Sequence, residues 1–297
     1  MDPQVVEIIV PPSFPPGHWL KHTTTIQSTV EELAAHARSC RSEVLIYLDG
    51  SGLGGHAGTA AVMYKVGQSP RVLKLHLGSL EEHTTYEAEA AGLSLALHLL
   101  SAERDAHSAT IMLDNQLVIQ SLRYRKSGTA QYLVSGLLSQ FDSIYCRSQQ
   151  PDFELDIAWV KGHMDIEGNE TVDKVAKEAT GGDSSKVMSL PALLAINPLP
   201  VSISVQKQDY GASLCKHWCE NWKQSPRHAR ISKVDPSMPS NNFRKLMIEH
   251  SRAQASLIIQ LRTGHVPLNV YLHRNSKSDQ PLSALREGQL NGPPLLV

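Results

Sequence analysis

Residues 159–179 read WVKGHMDIEGNETVDKVAKEA, and they join a strand-like segment to a helix through a polar turn. The preceding run ELDIAWV alternates Leu155, Ile157 and Trp159, which is typical of a half-buried strand. After the turn, apolar residues recur at helical spacing between 168 and 180 and predict the buried side of a helix. Lysine, histidine, asparagine and several carboxylates are concentrated at the junction. The question is what so many polar side chains bind there.

Residues 44–181 predict one α/β domain. The runs VLIYLD, GTAAVMYK and RVLKLHLG indicate three strands, and an Ala- and Leu-rich helix follows them. ATIMLD is a further strand, and two helices separate it from the strand and helix of the opening stretch. The predicted order is therefore β-β-β-α-β-α-α-β-α, a mixed sheet with helices packed on it. Residues 1–43 read as a Pro-rich linker with a short helix at 26–38, and residues 182–297 as a linker and a mainly helical extension.

Composition excludes several classes of protein. At 297 residues with 41% hydrophobic content, the chain is long enough for one domain and an extension. It has no apolar run of the ~20 residues that a membrane span needs and no leader of the signal-peptide type. We therefore expect an intracellular protein, nuclear or cytoplasmic, without a membrane partner. A formal net charge of -1 argues against binding nucleic acid through a general excess of positive charge, so that a nucleic acid would have to be held locally.

The cysteines indicate reduced thiols. Cys40, Cys146, Cys215 and Cys219 are scattered and contain no CxxC pair. Cys215 and Cys219 flank His217, which invites comparison with a zinc site. Structural zinc requires four ligands and no fourth is near, so a helix that simply carries these side chains is the preferred interpretation.

Four carboxylates are placed as a cluster would require. Asp49 and Asp114 each follow an apolar strand, and the carboxyl ends of strands are where ligands collect in α/β sheets. Taken singly, each aspartate is better explained as a helix or turn cap. Glu89 lies on the apolar side of its own helix, where a carboxylate needs a partner. Asp173 belongs to the first turns of the last helix. Glu87 is two positions from Glu89, on another face, and is expected to be solvated.

Neighbouring carboxylates repel one another, and a divalent cation is the usual relief. Oxygen ligands without cysteine or paired histidine favour Mg²⁺, or Mn²⁺, over zinc. Two such ions about 4 Å apart hold the attacking and leaving oxygens of an in-line displacement at phosphorus. The cluster therefore predicts metal-dependent phosphodiester hydrolysis.

The motifs DGSG, YEAEA, LDNQLVIQSL and WVKGH with GNETVDKVA, in this order and spacing, resemble type 1 ribonuclease H over about residues 44–180. The resemblance implies a five-stranded mixed sheet flanked by helices and an endonuclease that hydrolyses the RNA strand of RNA/DNA hybrids with two Mg²⁺ ions. By this resemblance Asp49, Glu89, Asp114 and Asp173 are the catalytic metal ligands. His163 corresponds to the family's loop histidine, which assists product release or proton transfer.

The resemblance also implies contacts with the hybrid. Seven residues correspond to substrate-binding positions: Gly50, Ser51, Thr84, Thr85, Asn115, Gln116 and Asn169. Most of them contact the RNA or its groove, where the 2′-hydroxyl distinguishes the strands. Thr84 and Thr85 correspond to a turn that holds a phosphate of the DNA strand, although an ordinary helix cap also explains a threonine there. The run RYRKSG, 123–128, either grips the duplex backbone or is a solvated helix end.

The flanking regions resemble those around the ribonuclease H domain in polyproteins of non-LTR retrotransposons, especially fungal ones. This holds for the Pro-rich lead and for residues 252–274. The cysteine-containing module that commonly follows there has no counterpart here, so the extension resembles a truncated one. We expect a monomer, with a reverse transcriptase as a candidate partner.

Two other functions compete with the endonuclease. A hybrid-binding module is the fate of ribonuclease H-like domains that lose their carboxylates, and this chain keeps all four. A transposase or junction resolvase of the same broad fold would show a different carboxylate order and no WVKGH before the last helix.

Overall fold

The computed structural model describes residues 6–10, 23–25, 42–124, 127–148, 150, 152–160, 167–196, 198–233, 235–237 and 240–263. The chain forms two compact units, Met1–Asp209 and Tyr210–Val297. The helix predicted at 26–38, the turn with His163, and Arg125 and Lys126 of the basic run lie outside the described residues.

The first unit is built on a mixed sheet. Its strands in chain order are β1 (Thr23–Thr25), β2 (Val44–Leu53), β3 (His56–Lys65), β4 (Arg71–Ser79), β5 (Ser108–Leu113) and β6 (Glu154–Trp159). They lie in the order β1-β6-β5-β2-β3-β4. Strands β2, β3 and β4 pair antiparallel, whereas β5 runs parallel to both β2 and β6. The predicted five-stranded sheet is confirmed, and β1 adds a short sixth strand parallel to β6.

Helices cover both faces of this sheet. They are α1 (Thr85–Leu100), α2 (Gln116–Tyr124), α3 (Gln131–Arg147) and α4 (Glu167–Thr180). Alternation along β2 explains the two layers, because successive side chains of a strand point to opposite faces. Ile46 and Leu48 belong to the core shared with α1 and α3, whereas Tyr47 packs with Val172 and Ala176 of α4.

Segments outside the predicted domain are anchored on it. The backbone N–H of Glu7 donates to the carbonyl of Val201, and residues 6 and 201 form an isolated bridge. The buried Glu7 carboxylate accepts hydrogen bonds of 2.8 Å from the backbone N–H groups of Ala130 and Ile203. Glu7 thereby links the N-terminal segment, the start of α3 and the residues after the domain.

The described part of the region after the domain is mainly helical, as predicted. Its helices are α5 (Ile203–Gln224), α6 (His228–Ile231), α7 (Asn242–Ile248) and α8 (Arg252–Thr263). Trp218 on α5 is 53% exposed, because this part of the helix is exposed almost all round. Among the described helices, none combines the length and the hydrophobicity that crossing a bilayer would require.

Candidate active site

Two aspartates lie at the carboxyl ends of adjacent parallel strands. β2 and β5 pair as far as Tyr47 and Met112, so that Asp49 and Asp114 both follow the last paired residues. Asp49 is still on β2, and Asp114 comes directly after β5. Because both strands run in the same direction, the two carboxylates reach the same edge of the sheet.

Glu89 reaches this edge because α1 approaches β2 unusually closely. A Cβ added at Gly50 would lie 2.5 Å from the backbone nitrogen of Glu89, so only glycine permits this packing. Glu89 is 5% exposed and lies on the side of α1 that faces the sheet. Its Oε2 atom is buried and has no hydrogen-bond partner among the described residues. An ionised oxygen in that position calls for a cation.

The three carboxylates form one group. Asp49, Glu89 and Asp114 each offer an oxygen, and these atoms lie within 4.8 Å of one another. Burial, followed by the charges of Asp114 and Asp173, raises the pKa of Asp49 from 3.8 to about 6. Burial, with the neighbouring Asp114 and Asp49 charges, raises the pKa of Glu89 well above its usual value. Negative charge is therefore concentrated where it is poorly solvated.

Asp173 belongs to α4, which packs on the face of the sheet opposite to α1. It lies on α4 beside the buried Val172, and its charge contributes to the raised pKa of Asp49. It is outside the closest set of three, and its Oδ2 accepts a 2.6 Å hydrogen bond from Lys177 Nζ, one turn further along α4. Lys177 therefore neutralises Asp173 in part at the margin of the carboxylate group.

Residues that the sequence did not single out hold these aspartates in place. Trp159 Nε1 donates a 2.7 Å hydrogen bond to the backbone carbonyl of Asp114, and Thr59 Oγ1 donates a 2.9 Å bond to that of Asp49. A Cβ at Gly168 would meet the ring of Tyr47 at 2.3 Å, so this glycine lets the start of α4 lie against β2. Trp159 and Gly168 both belong to the opening stretch, but only the fold shows that their partners are Asp114 and Tyr47.

The start of α1 is a complete capping box, and Glu87 belongs to it. Thr84 Oγ1 accepts a hydrogen bond from the backbone N–H of Glu87, while Glu87 Oε2 accepts one of 2.7 Å from the Thr84 backbone N–H. The prediction that Glu87 is solvated is wrong, because the residue is fully buried. Burial raises its pKa to about 7. Helical spacing places Glu87 on a different face of α1 from Glu89, but other parts of the chain cover that face as well.

The predicted substrate contacts are distributed around the carboxylate group. Ser51 continues β2 beyond Gly50, Thr85 is the exposed first residue of α1, and Gln116 is the first residue of α2. Asn115 Oδ1 accepts a hydrogen bond from the Leu117 backbone N–H, which caps α2. Asn169, on the first turn of α4, is almost buried at 9% exposure. The roles of these residues toward a hybrid stay predictions.

The zinc alternative finds no support in the described residues. Cys215, His217 and Cys219 all lie on α5, and within the described part of the chain only Asp49, Glu89 and Asp114 form a group that suits a metal ion. The three carboxylates offer only oxygen ligands, and the buried Oε2 of Glu89 has no hydrogen-bond partner among the described residues. Such a group fits a hard divalent cation such as Mg²⁺ or Mn²⁺.

Residues 41–181 match the protein-family model for RNase H. This part of the chain is a ribonuclease H domain. The match covers just under half of the 297 residues, and it confirms the fold and the enzyme class that the motifs predicted. No curated protein matched the chain in a sequence search.

Several solved structures are similar to the ribonuclease H domain. RNase H1 from the halophilic archaeon Halobacterium salinarum NRC-1 is 20% identical, with 47% of this chain and 98% of that one covered and a TM-score of 0.36. The N-terminal RNase H domain of rv2228c from Mycobacterium tuberculosis, solved as a fusion with maltose binding protein, is 23% identical, with coverages of 48% and 95% and a TM-score of 0.37. LC11-RNase H1, solved in complex with an RNA/DNA hybrid, is 18% identical, with coverages of 47% and 97% and a TM-score of 0.36.

Proposed function

We propose that this chain is an endonuclease that hydrolyses the RNA strand of RNA/DNA hybrids with two Mg²⁺ ions, or with Mn²⁺ in their place. The observation that carries the proposal is the group of Asp49, Glu89 and Asp114 at the carboxyl edge of a ribonuclease H domain. Bound metal would supply activation of the attacking water and stabilisation of the leaving oxygen.

The chain's own residues have separate roles in this proposal. Asp49, Glu89 and Asp114 hold the metals, and the 4.8 Å limit on their separation allows one ion to contact all three. Asp173 completes the set from α4 after exchanging its contact with Lys177 for a cation. His163 accelerates turnover by moving a proton or by helping product to leave, because imidazole exchanges protons near neutral pH.

Substrate selection rests on the residues that border the carboxylate edge. Gly50 and Ser51 follow Asp49 on β2, and Asn115 and Gln116 follow Asp114 at the start of α2. These four residues would contact 2′-hydroxyls of the RNA strand. Three further residues would contact the hybrid at the helix starts: Thr84, Thr85 and Asn169. At α1 the capping box already uses the N–H groups of Thr84 and Glu87, and the other N–H groups of the first turn would suit a phosphate of the DNA strand.

The proposed context is a retrotransposon polyprotein. The ribonuclease H domain would occupy residues 44–181, between a lead of 1–43 and an extension of 182–297, with a reverse transcriptase as partner. Copurification of the chain with a reverse transcriptase encoded in the same element would support this context.

A strand-specific cleavage assay tests the proposed activity. We expect a hybrid labelled on either strand to lose only its RNA, in the presence of Mg²⁺ or Mn²⁺ and not in the presence of a chelator. Double-stranded DNA should stay intact, because it lacks the 2′-hydroxyl. Asp114→Asn should abolish cleavage, and the matched control Asp152→Asn, at an exposed position on the approach to β6, should not. Cleavage that persists in chelator, or equal cleavage of duplex DNA, would refute the proposal; binding without cleavage would favour a hybrid-binding module.

A further inference from the structure

Charge is divided very unevenly between the two units. Residues 210–297 contain twelve Lys and Arg and five Asp and Glu, which gives a formal charge of +7. Residues 1–209 contain sixteen Lys and Arg and twenty-four Asp and Glu, which gives a formal charge of -8. The overall value of -1 conceals this division. The ribonuclease H domain itself, residues 41–181, contains twelve basic and eighteen acidic residues, a formal charge of -6.

Within the described residues of the second unit, most of the positive charge is at the surface. Eight basic residues there are exposed: Lys216, Lys223, Arg227, Arg230, Lys233, Arg244, Lys245 and Arg252. Within the part of the chain that the structure describes, none of the eight forms an ion pair. Exposed basic side chains without acidic partners leave a positive potential in the surrounding solvent.

One basic residue of the unit has a different role. Arg262 pairs with Asp235 and lies over the ring of Phe243, 4.0 Å from its centroid, and its side chain is 12% exposed. These contacts join α8 to α7 and to the residues before it. Arg262 is therefore a structural residue, and the exposed set of eight is separate from it.

We infer that the exposed basic residues of the second unit, between residues 210 and 263, bind the phosphate backbone of the nucleic-acid duplex on which the ribonuclease H domain acts. The inference rests on the proposed function for the identity of the duplex. A domain with a charge of -6 is repelled by a polyanion, so affinity must come from elsewhere. Because the units belong to one chain, phosphate binding by the second raises the effective concentration of duplex at the first.

Phosphate binding of this kind has a distinctive dependence on salt. Each phosphate that a lysine or arginine neutralises releases counterions, and the slope of log K against log salt changes by about 0.9 per contact. The contact is independent of sequence and of the sugar, since phosphates carry no sequence information. The second unit should therefore contribute equally to binding of an RNA/DNA hybrid and of duplex DNA of the same length.

The test uses the full chain in chelator, so that binding is measured without cleavage. The variant is Lys216→Gln with Lys223→Gln; the two residues are seven apart on α5 and hence on one side of the helix. The matched control is Arg104→Gln with Arg147→Gln. These exposed arginines border one surface at the end of the sheet where β5 and β6 begin, away from the carboxylates. Glutamine keeps helix propensity, and melting curves verify that both variants fold.

Dissociation constants for the hybrid and for duplex DNA are measured from about 50 to about 200 mM salt, a range in which phosphate contacts dominate. We expect the α5 variant to lose up to about 1.8 in slope and, near 0.1 M salt, up to about eightfold in affinity per lost contact. The loss should be equal for both duplexes, and the control should match the wild type.

Three results would overturn the inference: an unchanged slope in the α5 variant, a loss confined to the hybrid, or tighter binding. The last would show that the charge of these lysines opposes duplex binding. Failure of the proposed function is distinguishable, because the expected salt dependence without any cleavage in Mg²⁺ would leave this inference intact.

Discussion

Replacement of Asp49 by asparagine should stabilise the chain when metal is absent. The folded state raises the pKa of Asp49 from 3.8 to about 6 through burial and the charges of Asp114 and Asp173. One pKa unit corresponds to about 1.4 kcal/mol, so ionised Asp49 costs the folded state up to about 3 kcal/mol at neutral pH. Asparagine removes the charge at nearly the same volume. We expect the free energy of unfolding to rise by about 1 to 3 kcal/mol, which is roughly 3 to 10 °C in Tm.

The pH dependence fixes the sign of this effect. Because the folded pKa of Asp49 lies above the unfolded one, the folded state binds the proton more tightly. Stability that depends on this group is fully present below pH 3.8 and is lost as the pH rises to about 6. Asp49→Asn should lack this loss, so the difference between variant and wild type should grow over that window and stay constant above it.

Added Mg²⁺ should reverse the order. A ligand that binds only the folded state stabilises it by about 2.7 kcal/mol at a concentration 100 times its Kd. The wild type should gain in this way and Asp49→Asn much less. Thermal unfolding of both proteins in chelator and across a Mg²⁺ titration measures this, with Asp152→Asn as an exposed control. A fall of several degrees for Asp49→Asn in chelator would refute the reasoning and make Asp49 a structural cap; an equal gain from Mg²⁺ in both proteins would exclude it as a ligand.

Three further predictions concern other titratable groups. Glu87→Gln keeps a capping-box acceptor but removes a carboxyl whose pKa is raised from 4.5 to about 7. Chemical denaturation should therefore show that the free energy of unfolding rises by about 1 to 3 kcal/mol at pH 8 and does not change at pH 4. Equal changes at the two pH values would refute this prediction. Lys177→Met frees Asp173 and should lower the Mg²⁺ concentration needed for half-maximal cleavage about twofold, as a surface pair worth about 0.5 kcal/mol allows; a higher requirement would contradict this. His163→Ala should reduce turnover by about 10²-fold with little change in hybrid binding. Asp173→Ala should reduce turnover further and require a higher metal concentration. Wild-type turnover for His163→Ala at every pH would exclude His163 from the mechanism.

Local sequence was sufficient for the order of elements. Strand runs such as VLIYLD and ATIMLD, and the helical spacing of Val172 and Ala176, depend on the periods of 2 and 3.6, which are properties of short segments. Five of the six strands among the described residues were predicted in this way. The strand Thr23–Thr25 was not, because its pairing with β6 is a backbone interaction with a distant edge and leaves no periodic signal in three threonines.

The carboxylates illustrate the limit of helical spacing. Helical spacing alone predicted that Glu89 points inward and that Glu87 is solvated, yet both side chains are buried. Segments distant in sequence cover the start of α1, among them the one that contains Glu7, whose charge contributes to the raised pKa of Glu87. A position on a helix has one geometric direction, but its exposure depends on everything that packs around the helix.

The sequence by itself determined the residue types of the candidate site and, through the motifs, the family of the domain. Only the tertiary structure decided which groups meet: Asp49, Glu89 and Asp114 come from two strands and a helix, and a glycine at position 50 allows that helix to approach. It also decided that Trp159 on β6 holds Asp114 after β5, whereas the pairing of Asp173 with Lys177, four residues apart on one helix, follows from helical spacing. The division of charge between the units was present in the sequence, but it acquired a meaning only with the boundary at residue 209, because a net charge acts through the surface that carries it.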